Sequence, residues 1–321
     1  MSAGGRTLDR FLGGRVIAAQ PASGFRAGHD TVLLAAAVPA ESGSVALELG
    51  SGAGIASLCL AARVPGARII GIEIDPELVH LANDNAARNT VADRVSFVIG
   101  DARTAASQFN LPPPCGEAAA SHRAKRDGAP GGGPLVEELS VVDHVFFNPP
   151  FHPDSAHSSP VAARDRATRD SSDAVRTWTE RALSLVRGGG TVTAIVRTDR
   201  VHDILNAASN YSGIVFPLFP RASATSKRAI VRIIKIERIS TSPLPSPLVG
   251  DRGPICDSGA AAGPSAHSAA KQRVPGRKGG DTQDCEHFTT AAGLILHEAD
   301  GRNTEAAEAI LRHGQALNLS P

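Results

Sequence analysis

A chain of 321 residues has room for one large domain or two small ones, and 42% hydrophobic against 20% charged residues excludes a disordered or fibrous class. Aromatic residues make up only 4%, so a core must rest on Val, Ile, Leu and Ala. The 33 basic and 32 acidic residues leave a net charge of +1, which neither demands nor excludes a nucleic-acid partner, because local patches matter more than the sum.

From residue 45 onward, apolar β-rich runs alternate with helical patterns. "VALEL" (45–49), "RIIGIE" (68–73), "VSFVI" (95–99), "VDHVFF" (142–147) and "TVTAIV" (191–196) predict buried strands. Between them, "IASLCLAARV" (55–64), "PELVHLANDNAARN" (76–89) and "DAVRTWTERALSLV" (173–186) have helical spacing. Pro76 suits a first helical turn, and "RGGG" (187–190) ends the third helix. Alternation of this kind predicts right-handed crossovers and a parallel sheet covered on both faces. "GIVFPLF" (213–219) and "RAIVRIIKIE" (228–237) follow with no helix between them, which suits a terminal hairpin and one antiparallel strand. "GLILHE" (293–298) and "NTEAAEAILRHG" (303–314) predict a last short strand and helix.

Residues 112–134 and 241–287 are rich in Pro, Gly and small polar residues. Neither stretch holds enough apolar surface to offset its ordering entropy, so both are expected to be flexible insertions in a single domain spanning 1–321. No apolar run approaches the ~20 residues that cross a bilayer. "MSAGGRTLDRFLGG" lacks the apolar centre of a secretory signal, and a cytoplasmic protein is expected. Cys59, Cys115, Cys256 and Cys285 are too few and too irregular for a disulfide framework. Cys285 and His287 lack a second ligand pair, so no metal is expected.

The first predicted strand runs into "LELGSGAGIASL". Gly50, Gly52 and Gly54 allow a sharp turn and close approach of a ligand to the backbone, with a helix N-terminus following. A dinucleotide fingerprint needs its third glycine at position 55, which is Ile55. The spacing is instead acidic-x-G-x-G-x-G, with Glu48 in the strand end; a carboxylate there repels a pyrophosphate but can pair with a cationic amino group. Glu73, at the end of the second strand, is placed to accept from a ribose diol. Asp101, after the third, can accept from an adenine amine. Any one of these is more often a solvated carboxylate; three at successive strand ends behind a glycine loop point to a nucleoside ligand with an amino-acid end.

"ELGSGAG", "IEID" and "GDA" resemble the successive cofactor motifs of class I S-adenosylmethionine-dependent methyltransferases, and "NPPF" (148–151) is similar to the fourth motif of the amino-methyltransferases among them. "GFRAGHDTVLLAAAV" (24–38) resembles the segment before the first strand in bacterial tRNA1(Val) (adenine-N6)-methyltransferases. The match covers about residues 20 to 240, apart from the insertions. The resemblance implies a Rossmann-like α/β fold, with seven mostly parallel strands, one of them antiparallel, and helices on both faces. It implies S-adenosyl-L-methionine as cofactor, held by Phe25, Arg26, Asp30, Glu48, Gly50, Gly52, Gly54, Glu73, Ile74, Asp101, Ala102 and Asn148. It also implies an RNA substrate, with methylation of an adenine N6 in the anticodon loop of a valine tRNA.

The chemistry of "NPPF" fits that expectation. Two prolines stop both helix and sheet ladder and hold the segment in one extended shape. The Asn148 amide oxygen can accept one proton of an exocyclic amine and the Pro149 carbonyl the other. Two fixed acceptors favour a pyramidal nitrogen and stabilise the positive charge developing on it. Phe151 offers a face on which a planar base stacks, worth roughly 1–3 kcal/mol. An adenine in RNA must leave its stack to reach such a corner, which favours an unpaired loop base. Arg164, Arg166 and Arg169 after the motif, and Arg221, Lys227 and Arg228 in "PRASATSKR", are candidate phosphate contacts. Ordinary solvated loops explain those cations as readily, and His29 and His152 are expected to be loop histidines rather than acid–base groups. Competing readings are N5-methylation of a protein glutamine, methylation of adenine in rRNA or DNA, and a non-catalytic RNA-binding protein that keeps the nucleotide fold.

Overall fold

The computed structural model describes residues 5–24, 26–104, 142–149, 172–236 and 287–319. The stretch 112–134 and all but the last residue of 241–287 lie outside these, as do Phe25, Phe151, Arg164, Arg166 and Arg169.

Strands β3 (Val45–Leu49), β4 (Arg68–Glu73) and β5 (Val95–Ile99) alternate with helices α2 (Ile55–Arg63) and α3 (Pro76–Arg88). β6 (Val142–Phe147), α4 (Ser172–Leu185), β7 (Val186–Arg197), α5 (Val201–Ala207), β8 (Ser212–Phe219) and β9 (Arg228–Ile234) follow. The local chemistry explains the boundaries: Pro76 stands at the first turn of α3 while the Asp75 side chain accepts from the Glu77 N–H at 2.9 Å.

The main sheet has the order β10-β8-β9-β7-β6-β3-β4-β5, where β10 is Phe288–Thr290; a two-residue strand, β11 (Leu294–Ile295), also pairs with β8. Only β9 runs antiparallel, to both β7 and β8. The sheet therefore has nine strands rather than the expected seven. Both additions extend the β8 edge in parallel: β11 falls within "GLILHE", where a last short strand was expected, while β10, at three residues, is too short to show period-two alternation. The expected β8–β9 hairpin is present.

Alternation along each strand feeds two apolar layers. Ala46, Phe146 and Ile195 join α1 (His29–Ala37), α2 and α3 on one face; Leu47, Leu49, Phe147, Val192 and Ala194 join α4 and α5 on the other. Phe146 and Phe147 are both fully buried, on opposite faces. Among the described residues no helix is long and apolar enough to cross a membrane.

The stretch before residue 24 forms structure that composition did not suggest. β1 (Arg6–Phe11) and β2 (Val16–Pro21) make an antiparallel hairpin turned through Gly13 and Gly14, at φ 66° and 94°. Side chains of α3 and of its C-cap hold its outer edge. Asn89 Oδ1 accepts from Ile17 N–H and its amide donates to the Ile17 carbonyl, at 2.9 and 2.8 Å. Asn85 does the same for Ala19 at 2.8 and 2.9 Å, and also donates to the Ala53 carbonyl in the glycine loop at 3.0 Å. Two asparagines four residues apart thus imitate a neighbouring strand, and the fully buried Asn85 ties the hairpin to the loop.

Candidate active site

Strand register lines the site up. Leu49 of β3 lies beside Phe147 of β6 on one side and Ile72 of β4 on the other, and Glu73 lies beside Ile99 of β5. One position further on, Asn148, Gly50, Glu73 and Ile99 therefore stand as a row at the carboxyl edge of the sheet, with neighbours about 4.8 Å apart. The chain proceeds from β3 outward to β4 and β5, then returns to β6 on β3's other side. Gly50 and Asn148 thus flank the topological switch point, where open α/β sheets bind ligands.

The three loop glycines have different reasons to be glycine. All have positive φ: 66° at Gly50, 55° at Gly52 and 85° at Gly54. A Cβ on Gly50 would come within 2.5 Å of the Trp178 ring, and one on Gly54 within 2.5 Å of the Phe97 ring. A Cβ on Gly52 would meet nothing within 4 Å. Two rings grip the ends of the turn from opposite faces of the sheet, and its middle faces open space.

The acidic residues are held by the protein itself. Glu73, 7% exposed, accepts from Ile74 N–H and Asp75 N–H at 2.8 and 3.0 Å through one oxygen and from Gly52 N–H at 2.8 Å through the other. Burial raises its pKa, and the three backbone donors oppose the rise. Glu48 is buried under the loop, where Oε2 accepts from the Ser57 N–H at 3.1 Å and hydroxyl at 2.5 Å; burial pushes its carboxyl up to about 8. It is committed to the first turn of α2 rather than presented as a free anion. Asp101 is clasped by Arg103 two residues on, at 2.5 to 3.1 Å, and that hydrogen bonding lowers its pKa. Ala102 is buried behind it, and Ile74 is half-buried beside Glu73.

On the β6 side, the Asn148 Oδ1 atom is shielded from solvent and has no hydrogen-bond partner among the described residues. Pro149 beside it is buried. A buried acceptor left empty costs roughly 1–3 kcal/mol and asks for a donor from a ligand.

The remaining predicted residues fall into two groups. Asp30, on the first turn of α1, pairs with Arg228 at 3.0 Å, so a residue expected at the cofactor and one expected at substrate phosphates hold each other across the carboxyl edge. Arg26 is drawn to Asp9 of β1 at 2.6 Å, and Asp9 also accepts from the buried Gln20 at 2.8 Å. Arg221 and Lys227 are exposed on the β8–β9 connection, at the same edge as Asn148. Sequence reasoning passed over Trp178, Phe97 and Asn85. The available signals were one tryptophan in an aromatic-poor chain, on the Val175–Trp178–Ala182 face of a helix, and a glycine, Gly71, in mid-strand: a Cβ there would collide with the Phe97 ring.

Residues 40–112 match the family model described as methyltransferase domain. The chain is 29% identical over 196 residues to the tRNA1(Val) (adenine(37)-N6)-methyltransferase of Porphyromonas gingivalis, covering 60% of this chain and 66% of that one. It is 32% identical over 160 residues to the protein of the same name from Yersinia enterocolitica, covering 44% and 62%. The alignments thus span just under two thirds of these relatives. A predicted O-methyltransferase of Agrobacterium tumefaciens superposes with a TM-score of 0.54 at 18% identity, covering 90% of this chain and 98% of that one. The chain has the Rossmann-like fold of the class I methyltransferases, and its residues 40–112 match the methyltransferase domain model.

Proposed function

We propose that this protein transfers a methyl group from S-adenosylmethionine to the exocyclic N6 amine of an adenine in tRNA, in the anticodon loop of a valine tRNA. The observation that carries this reading is the unpartnered, shielded Asn148 oxygen, one strand away from a glycine turn whose middle is open. The curated relatives named above are tRNA1(Val) (adenine(37)-N6)-methyltransferases, which supports the choice of RNA.

The residues present fit the methyl donor. Gly52 leaves room for a ligand against the backbone, and Glu73, already oriented by three backbone N–H groups, keeps acceptor capacity for a ribose diol. Gly50, Gly54, Ile74, Asp101 and Ala102 would line the same row of strand tips. The donor supplies a methyl group activated by its sulfonium. The chain's part is to align the acceptor. Asn148 Oδ1 accepts one amine proton and the Pro149 carbonyl the other, directing the nitrogen lone pair toward the cleft and stabilising the charge that develops. Phe151 stacks on the base, and the exposed Arg221 and Lys227 meet phosphates. Arg228, paired with Asp30, braces the edge instead. Residues 1–321 form one domain carrying the two polar stretches as insertions, and the protein works in the cytoplasm with tRNA.

Incubation with labelled methyl donor and total bacterial RNA, followed by nucleoside digestion, tests the reading. Label in N6-methyladenosine from a valine tRNA is the expected result. Label only in protein glutamine, or in no RNA nucleoside, contradicts it.

A further inference from the structure

Helix α4 takes no direct part in the chemistry above, yet its Trp178 touches both halves of the site. The Trp178 ring fills the space beside Gly50 that a Cβ would need. The same ring stands edge-on to Phe147, the residue before Asn148, with centroids 5.9 Å apart and planes at 65°. Gly50 follows β3 and Phe147 ends β6, the two strands that flank the switch point. Val175, one turn before Trp178, and Ala182 and Leu185, one and two turns after it, seal the helix onto the sheet, and Arg181 donates to the Arg103 carbonyl at 3.0 Å in the loop that carries Asp101. α4 therefore touches the tips of β3, β5 and β6 from one face, with the indole at the centre.

We propose that Trp178 is a positioning residue for methyl transfer: its indole spans the switch point and fixes the separation between the glycine turn and the Asn148 corner. The inference rests on the function proposed above. The ligand contacts proposed above centre on Gly52 and Glu73, whereas the indole lies against Gly50 and Phe147, so affinity survives without the ring. Transfer depends on the line from acceptor nitrogen to methyl carbon, and a misplacement of about 1 Å there costs on the order of 10²-fold in rate. A plain core residue behaves differently, lowering stability, affinity and turnover together.

The test uses the full chain with Trp178→Ala and Trp178→Phe, measuring S-adenosylhomocysteine affinity by calorimetry, kcat and KM on tRNA, and thermal melting. For Trp178→Ala, kcat is expected to fall on the order of 10²-fold while affinity stays within about threefold. Trp178→Phe keeps a ring against Phe147 but is too short to brace Gly50 as well, so its kcat lies between the two at an unchanged melting temperature. If the alanine variant does not fold, the phenylalanine variant decides alone. Unchanged kcat, or loss of kcat in step with affinity and melting in both variants, overturns the proposal. Trp178 is also the chain's one tryptophan, so its emission should shift when S-adenosylhomocysteine binds; constant emission at saturation overturns the contact with the loop. A wild-type protein that does not bind S-adenosylhomocysteine fails at the earlier step and takes both readings with it.

Discussion

The two sides of the switch point follow opposite plans. On the β3–β5 side, Glu48 is held by Ser57, Glu73 by Gly52, Ile74 and Asp75, and Asp101 by Arg103. On the β6 side, Asn148 Oδ1 has no partner among the described residues. A pre-satisfied side fixes geometry before any ligand arrives, so little ordering cost remains at binding. An unsatisfied acceptor does the reverse: its desolvation is already spent in the empty protein and is recovered when a donor arrives. That difference suits a bound donor on one side and a reacting amine on the other.

Breaking the satisfied side from beneath should have the largest effect. Asn85→Ala strips the buried Ala19 N–H, the Ala19 carbonyl and the Ala53 carbonyl of their partner, and should cost roughly 3–5 kcal/mol in urea denaturation. A loss below about 1 kcal/mol would mean that the hairpin does not brace the loop. Glu73→Ala sharpens the comparison at the ligand itself. Affinity for S-adenosylhomocysteine is expected to drop on the order of 10²-fold, about 2.7 kcal/mol, and unchanged calorimetry would remove Glu73 from the ribose role.

A smaller effect tests the strand that carries Asn148. His144, in the middle of β6, bonds the Thr191 hydroxyl at 2.9 Å, and burial pushes its imidazolium down to about 4. Below its ordinary value near 6.5, the unfolded chain takes up a proton that the folded chain refuses. Stability from this group is thus complete above pH 6.5 and falls as pH drops toward 4, by about 2–3 kcal/mol. Comparing the wild type with His144→Gln at pH 7.5 and pH 5 isolates the effect; parallel pH profiles would contradict it.

The strands from β3 to β9 were legible because buried parallel strands are continuous apolar runs and the helices between them carry capping residues such as Asp75 and Pro76. The N-terminal hairpin was passed over although "LGGR" between "RTLDRF" and "VIAAQP" is a turn between two β-capable runs. The positions of Glu73, Gly52 and Asn148 were legible because strand tips are fixed by topology. Their partners were not. Asp30 and Arg228 are 198 residues apart, and nothing local announces that the two pair, leaving Arg221 and Lys227 as the exposed cations of that loop. The same holds for Trp178, whose spacing marks a core face but not which strand tips that face meets.

The account depends most on the empty oxygen of Asn148, and one paired measurement addresses it: S-adenosylhomocysteine affinity and single-turnover methyl transfer to tRNA, for wild type and Asn148→Ala. The account predicts transfer reduced on the order of 10²–10³-fold at nearly equal affinity. Equal transfer rates in the two proteins would contradict it.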